Sequence, residues 1–163
     1  MVGVMDKGHY MNPQNTNIDG WKDCDMRQWL NETIFPTLPT KWQAMIVAVD
    51  ILANVGGMNT TRVHTTSDKL FLLSMAEVGQ MQTTAPYPLE VDPEAEQVTF
   101  AVFTDNYSRG KRLSNGTGAL QGWWLRSAYH TSSSYFGYIQ TSGASAGSNA
   151  SNTYYYPAWG FCI

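Results

Sequence analysis

The chain has no Lys, Arg, Asp or Glu after Arg126, and only two cysteines in 163 residues. Cys24 and Cys162 are too few for a disulfide framework and lack metal-ligand spacing, so each reads as a small buried apolar residue. The net charge is −3 and the few basic residues are dispersed. That excludes the basic stripe of a nucleic-acid binder and the basic amphipathic helix of a membrane-surface protein. Long apolar runs are also missing. The stretch Ala44-Met45-Ile46-Val47-Ala48-Val49 is far too short to span a bilayer, so no membrane insertion is expected. Met1 to Asp6 lacks a basic n-region and a sustained apolar h-region, so export needs another route or an upstream segment. His9, His64 and His130 fall in no HxH or HExxH spacing, and neither Ser74 nor Ser127 sits in a G-x-S-x-G elbow. The expectation is a protein without metal or cofactor and without catalytic residues.

The C-terminal stretch is written in Tyr, Ser, Thr, Asn, Gly and Ala, from Ser127 onward, with a few large apolar residues. This is a paratope's composition: Tyr supplies broad amphipathic contact at low entropic cost, and Ser, Asn and Gly supply adaptable hydrogen bonds. A polar low-complexity tail would not pack. This tract, however, is entered through Trp123-Trp124-Leu125 and left through Ala158-Trp159-Gly160-Phe161-Cys162-Ile163, which read as buried strands. The genetic code sharpens the point. Lys, Glu, Gln, Met and Trp have no codon ending in a pyrimidine, and from Ala128 to Tyr156 Gln140 alone belongs to this set. Uniform composition would place about seven there. A tract of Asn-type codons randomised at their adenines leaves that signature, with Gln140 as a fixed position.

Length suits one domain over residues 1–163 with a core of its own. The run from Asp23 to Glu32 reads as a helix with Asp23 as N-cap and Met26, Trp29 and Leu30 on one face, ended by Pro36 and Pro39. Thr40 is expected to cap a second helix with Trp42, Met45 and Ile46 inward. Extended segments are expected near Val47 to Leu52, Arg62 to Thr66 and Lys69 to Leu73, and Ser74-Met75-Ala76-Glu77 is a capping box. Asp92-Pro93-Glu94 starts a helix placing Val98, Ala101 and Val102 inward, and Arg109 to Gly118 reads as a basic loop. The strand Trp123 to Arg126 precedes a hairpin of Tyr135 to Gln140 and Ala144 to Ser148 turning at Ser142-Gly143. Helices early and strands late make an α+β domain of mixed, mostly antiparallel strands with two main helices. The expected core holds Trp21, Trp29, Leu30, Leu72, Trp124 and Phe161. Arg126, on a core strand, calls for a carboxylate partner, Asp68 or Glu77.

Gly20-Trp21, Asp25-Met26-Arg27-Gln28-Trp29-Leu30-Asn31, Leu38-Pro39, Thr66 to Ser74, Glu77-Val78 and Trp123-Trp124-Leu125-Arg126-Ser127 stand in a fairly specific order and spacing. From about His9 to Ile163 the chain resembles a bacterial and phage domain family of uncharacterised function. That family has a C-type-lectin-like fold and is related to formylglycine-generating-enzyme domains. Members recur in gut bacteria and their phages, and some resemble variable proteins of diversity-generating retroelements, whose lectin-like fold displays a rewritten C-terminal stretch. The resemblance implies a C-type-lectin-like fold, a candidate variable region over 128–156, and a virion or bacterial cell surface location. Its candidate ligand-binding positions are Tyr129, His130, Ser133, Ser134, Tyr135, Tyr138, Gln140, Ser148, Asn149, Asn152, Tyr154 and Tyr155. Tyr135, Tyr138, Tyr154 and Tyr155 are expected to be exposed on one face. Tyr154-Tyr155-Tyr156 stand where many relatives carry Gly-Val-Arg before the final Pro-Ala. The Glu-Pro-Asn or Gln-Pro-Asp loop and Trp-Asn-Asp strand of calcium-dependent lectins are missing, as is the close cysteine pair of the oxidase relatives. The expected function is binding, through this surface, of a protein or glycan on a host or neighbouring cell. The alternative is an assembly module of a phage tail or cell surface whose face is a fixed interface. Neither reading specifies an oligomeric state.

Overall fold

A computed structural model describes residues 5–59, 62–80, 98–113, 118–129 and 131–163. Among the described residues three short α-helices, α1 (Asp25–Gln28), α2 (Thr40–Met45) and α3 (Asn106–Arg109), accompany seven strands. These are β1 (Val49–Asn54), β2 (Val63–Asp68), β3 (Phe71–Leu72), β4 (Trp123–Ala128), β5 (Tyr135–Ile139), β6 (Ser145–Asn149) and β7 (Trp159–Gly160). All pair antiparallel, β1 with β2, β3 with β7, and β4-β5-β6 in one three-stranded sheet. The architecture is α+β, and no helix among the described residues is long and apolar enough to cross a membrane.

Every residue of β4 is buried, so its one charged side chain must be satisfied by protein. Arg126 donates to both Glu77 oxygens, at 2.7 and 2.8 Å, to Leu72 O at 2.7 Å and to Leu52 O at 3.1 Å. One guanidinium thus joins β4 to β1, β3 and the turn after β3. Glu77 is the partner, and it also closes the expected capping box: Ser74 N donates to Glu77 Oε2 and Glu77 N to Ser74 Oγ. Asp68 serves elsewhere, accepting from Trp21 Nε1, Arg27 Nε and Thr66 Oγ1.

Several local expectations are corrected. Cys24, not Asp23, precedes α1, and the cap arrives from another part of the chain: Asp25 N donates to Asn12 Oδ1 at 2.9 Å. α1 passes into a π-helical turn, Trp29–Ile34, and a 3-10 turn, Phe35–Thr37, that accommodates Pro36 near its start, where no N–H is needed. Pro39, not Thr40, occupies the cap position of α2. Only Ile46 of the expected stripe is buried; Trp42 and Met45 are about half exposed, Trp42 meeting Phe161 edge-on at 5.4 Å. Val98, Ala101 and Val102 are exposed, because no helix forms there and Phe103 takes the inward position. The helix start at Asp92 lies outside the described residues. Instead Asp105 caps α3 in a reciprocal box with Ser108. Arg109 and Lys111, read as loop cations, are buried. Trp21, Leu30, Leu72 and Trp124 share the core as expected, with Trp29 and Phe161 half-buried at its margin. Cys24 is buried but Cys162 is exposed.

Candidate functional site

The hairpin β5-β6 turns at Gly143, whose φ of +82° is left-handed. Its register sets Tyr135 opposite Asn149, Gly137 opposite Gly147 and Tyr138 opposite Ala146. Alternation along a strand then puts Tyr135, Gly147 and Asn149 on one face and Tyr138 on the other. The tyrosines accordingly form two groups rather than the single exposed face expected. Tyr129 meets Tyr135 edge-on at 6.2 Å. Tyr138 stacks on Tyr155 at 3.8 Å, and both lie edge-on to buried Trp124.

The Tyr129–Tyr135 face holds an open groove of about 590 Å³. It is lined by Tyr129, Thr131, Ser132, Ser134, Tyr135, Gly147 and Asn149, none of them charged. Gly147 is a fitting requirement: a Cβ there would lie 2.3 Å from the Tyr129 ring. With Gly147 the ring settles on the strand and is only 9% exposed. Burial, with the nearby Tyr138 adding, raises the Tyr129 phenol above its ordinary pKa, so it stays a neutral hydroxyl. The groove therefore offers two aromatic rings, hydroxyls that both donate and accept, and one amide.

Asn17 shapes this groove from the other end of the chain. Its buried Nδ2 donates to Tyr129 O (3.1 Å), Ser132 O (2.7 Å) and Tyr135 O (2.7 Å), and its backbone N to Ser133 O (2.8 Å). Its Oδ1 accepts from Gly57 N at 2.8 Å, and Gly56, at φ +58°, lets the β1-β2 turn approach: a Cβ there would meet Asn17 O at 1.9 Å. Asn54 adds a second clamp, its amide exchanging two hydrogen bonds with the Ala128 backbone.

Of the candidate positions, Tyr129, Ser134, Tyr135 and Asn149 meet in the groove. Ser133 is exposed beside it, held by its carbonyl. Gln140 brackets the hairpin turn through its backbone, donating to Ala144 O and accepting from Gly143 N. Ser148 accepts from Asn152 Nδ2, and the register puts it on the Tyr138 face. Tyr154 is 83% exposed but does not line the groove, and Tyr155 is half-buried in its stack with Tyr138. His130 lies outside the described residues. Thr131, Ser132 and Gly147 were missed, although a glycine inside a strand is itself a signal of close approach. Asn17 was missed too, since nothing near it in the chain marks it. Among the described residues no group of three or more His, Cys, Asp or Glu is placed to hold a metal ion.

No curated protein and no solved structure matches the chain. A family model does match, covering residues 4–161 and so nearly all the elements described above: the chain belongs to the DUF6273 family, a domain of unknown function.

Proposed function

We propose that this chain is a ligand-binding display domain of C-type-lectin-like fold, whose groove contacts a protein or glycan on another cell or particle. The observation that carries the reading is the composition of the groove. All seven lining residues fall between Tyr129 and Asn149, inside the uncharged stretch whose residue types fit adenine-directed randomisation. The scaffold holding it, Asn17, Asn54 and the Arg126–Glu77 pair, lies outside that stretch. Such a division suits a surface that is rewritten while its support stays constant, because binding residues tend to sit on loops positioned by a rigid frame. The reading places the domain on a virion or bacterial surface and assigns it no catalytic role.

The test is binding of the parent chain to arrays of glycans and of surface-exposed host and bacterial proteins, beside Tyr135→Ala and Asn149→Ala. The expected result is a ligand bound by the parent and lost by at least tenfold in both variants, with unchanged melting curves. A ligand retained by both variants would show that the groove is not the site. Close relatives supply a second test: changes traceable to adenines and concentrated at 131–135, 149 and 154 support diversification, and uniform drift counts against it.

A further inference from the structure

A second cavity of about 420 Å³, sharing no lining residue with the tyrosine groove, lies between β3, β7 and the segment from Phe100 to Lys111. Its volume falls within the about 300–1,000 Å³ range of small-molecule sites. Phe71, Leu73, Phe103 and Phe161 form apolar walls, and the one cation among the lining residues is Lys111. Lys111 is only 8% exposed, and no carboxylate among the described residues lies within ion-pair distance of it. Its ammonium rests near two ring faces, 5.1 Å from the Trp123 centroid and 5.6 Å from that of Phe103. Ring faces offset part of the desolvation cost of an ammonium but supply no counter-charge themselves.

The geometry points to a binding site for an amphiphilic monocarboxylate, with the apolar tail against Phe71, Leu73, Phe103 and Phe161 and the carboxylate on Lys111 Nζ. A lone ammonium is a compact point charge and suits a single small anionic head; a phosphate dianion is better met by an arginine fork or several donors. The Lys111–Gln121 bridge and the Trp123 Nε1 bond to Arg109 O, at 3.0 Å, hold the Lys111 segment against the start of β4, across the cavity from β3 and β7. Burial lowers the pKa of the Lys111 ammonium, and a bound anion opposes that shift.

The experiment compares decanoate with decanol, a neutral analogue of the same chain length, by calorimetry on the whole chain. Decanoate should bind saturably and at least tenfold tighter than decanol, shifting the Leu73 methyl resonances. Lys111→Met, which keeps an unbranched apolar stem one atom shorter and removes the charge, should abolish the difference. Equal affinity of the two probes, a preference that survives Lys111→Met, or Leu73 signals that stay put would each overturn the proposal. A readout needing no variant is the pH titration of the Lys111 side-chain resonance. Decanoate should move its midpoint upward, and an unmoved midpoint at saturation is equally fatal.

Discussion

Replacing Asn17 tests whether the groove is shaped by a residue more than a hundred positions away. The Asn17 amide has two hydrogens and serves three carbonyl oxygens, at 3.1, 2.7 and 2.7 Å, so one bond is shared. Asn17→Ala removes these bonds and the acceptor for Gly57 N, whose residue is exposed and is rehydrated at little cost. The Tyr129 carbonyl is in the buried part of the network and loses most. At about 1 kcal/mol for an ordinary hydrogen bond and about 1–3 kcal/mol for a buried group left unmet, the total is about 3 kcal/mol. For a domain this size that lowers the thermal midpoint by about 6–12 °C. Asn17→Asp keeps the shape and the Gly57 bond but points its other carboxylate oxygen at three carbonyls, so at neutral pH it should be less stable than the Ala variant. Urea titrations of parent and both variants measure the order, and amide spectra should show residues 131–135 displaced in each. An Asp variant as stable as the Ala variant would refute the reasoning, because the amide would then not be donating to these carbonyls.

Glu77→Gln should cost about 3–5 kcal/mol in a denaturant titration, since Arg126 remains buried without its counter-charge, and adding Arg126→Met should recover part of the loss. The exposed set Ser133, Asn149 and Tyr154, replaced together by Ala, should leave the melting midpoint within a few degrees, whereas Tyr129→Ala alone should cost about 3–5 kcal/mol. A large loss for the exposed set would show that the C-terminal surface carries the fold. Native protein should present one thiol to a disulfide reagent at neutral pH and two after denaturation. Cys162 is exposed, while burial pushes the Cys24 thiol up to about 12 and leaves almost no thiolate. Two reactive thiols in the native state would contradict the placement of Cys24.

Patterns with a short period were legible. The hairpin over β5 and β6 and its turn at Gly143 followed from alternation and a glycine between two runs. Arg126 was readable because a charge between Trp124, Leu125 and Ser127 on a buried strand demands a carboxylate, and the alternatives were only Asp68 and Glu77. Misreadings clustered where a short pattern was completed by distant chain. Trp42 and Met45 have helical spacing, yet α2 lies at the margin, so spacing indicated a face without indicating what covers it. The four tyrosines looked like one surface by composition; pairing put Tyr138 against Trp124, where it packs.

The amino-acid sequence by itself determined the α+β class, part of the core in Trp21, Leu30, Leu72 and Trp124, and the confinement of charge to the first 126 residues, because burial, alternation and composition are properties of local stretches. Tertiary structure alone decided which polar residues of the late tract share a groove. That depended on the Tyr135–Asn149 register, on Gly147 admitting the Tyr129 ring, and on Asn17 binding three carbonyls of the same loop. Each of these is a meeting of residues far apart in the chain or across a strand pair. No pattern along one segment encodes such a meeting, because its free energy exists only once both partners are brought together.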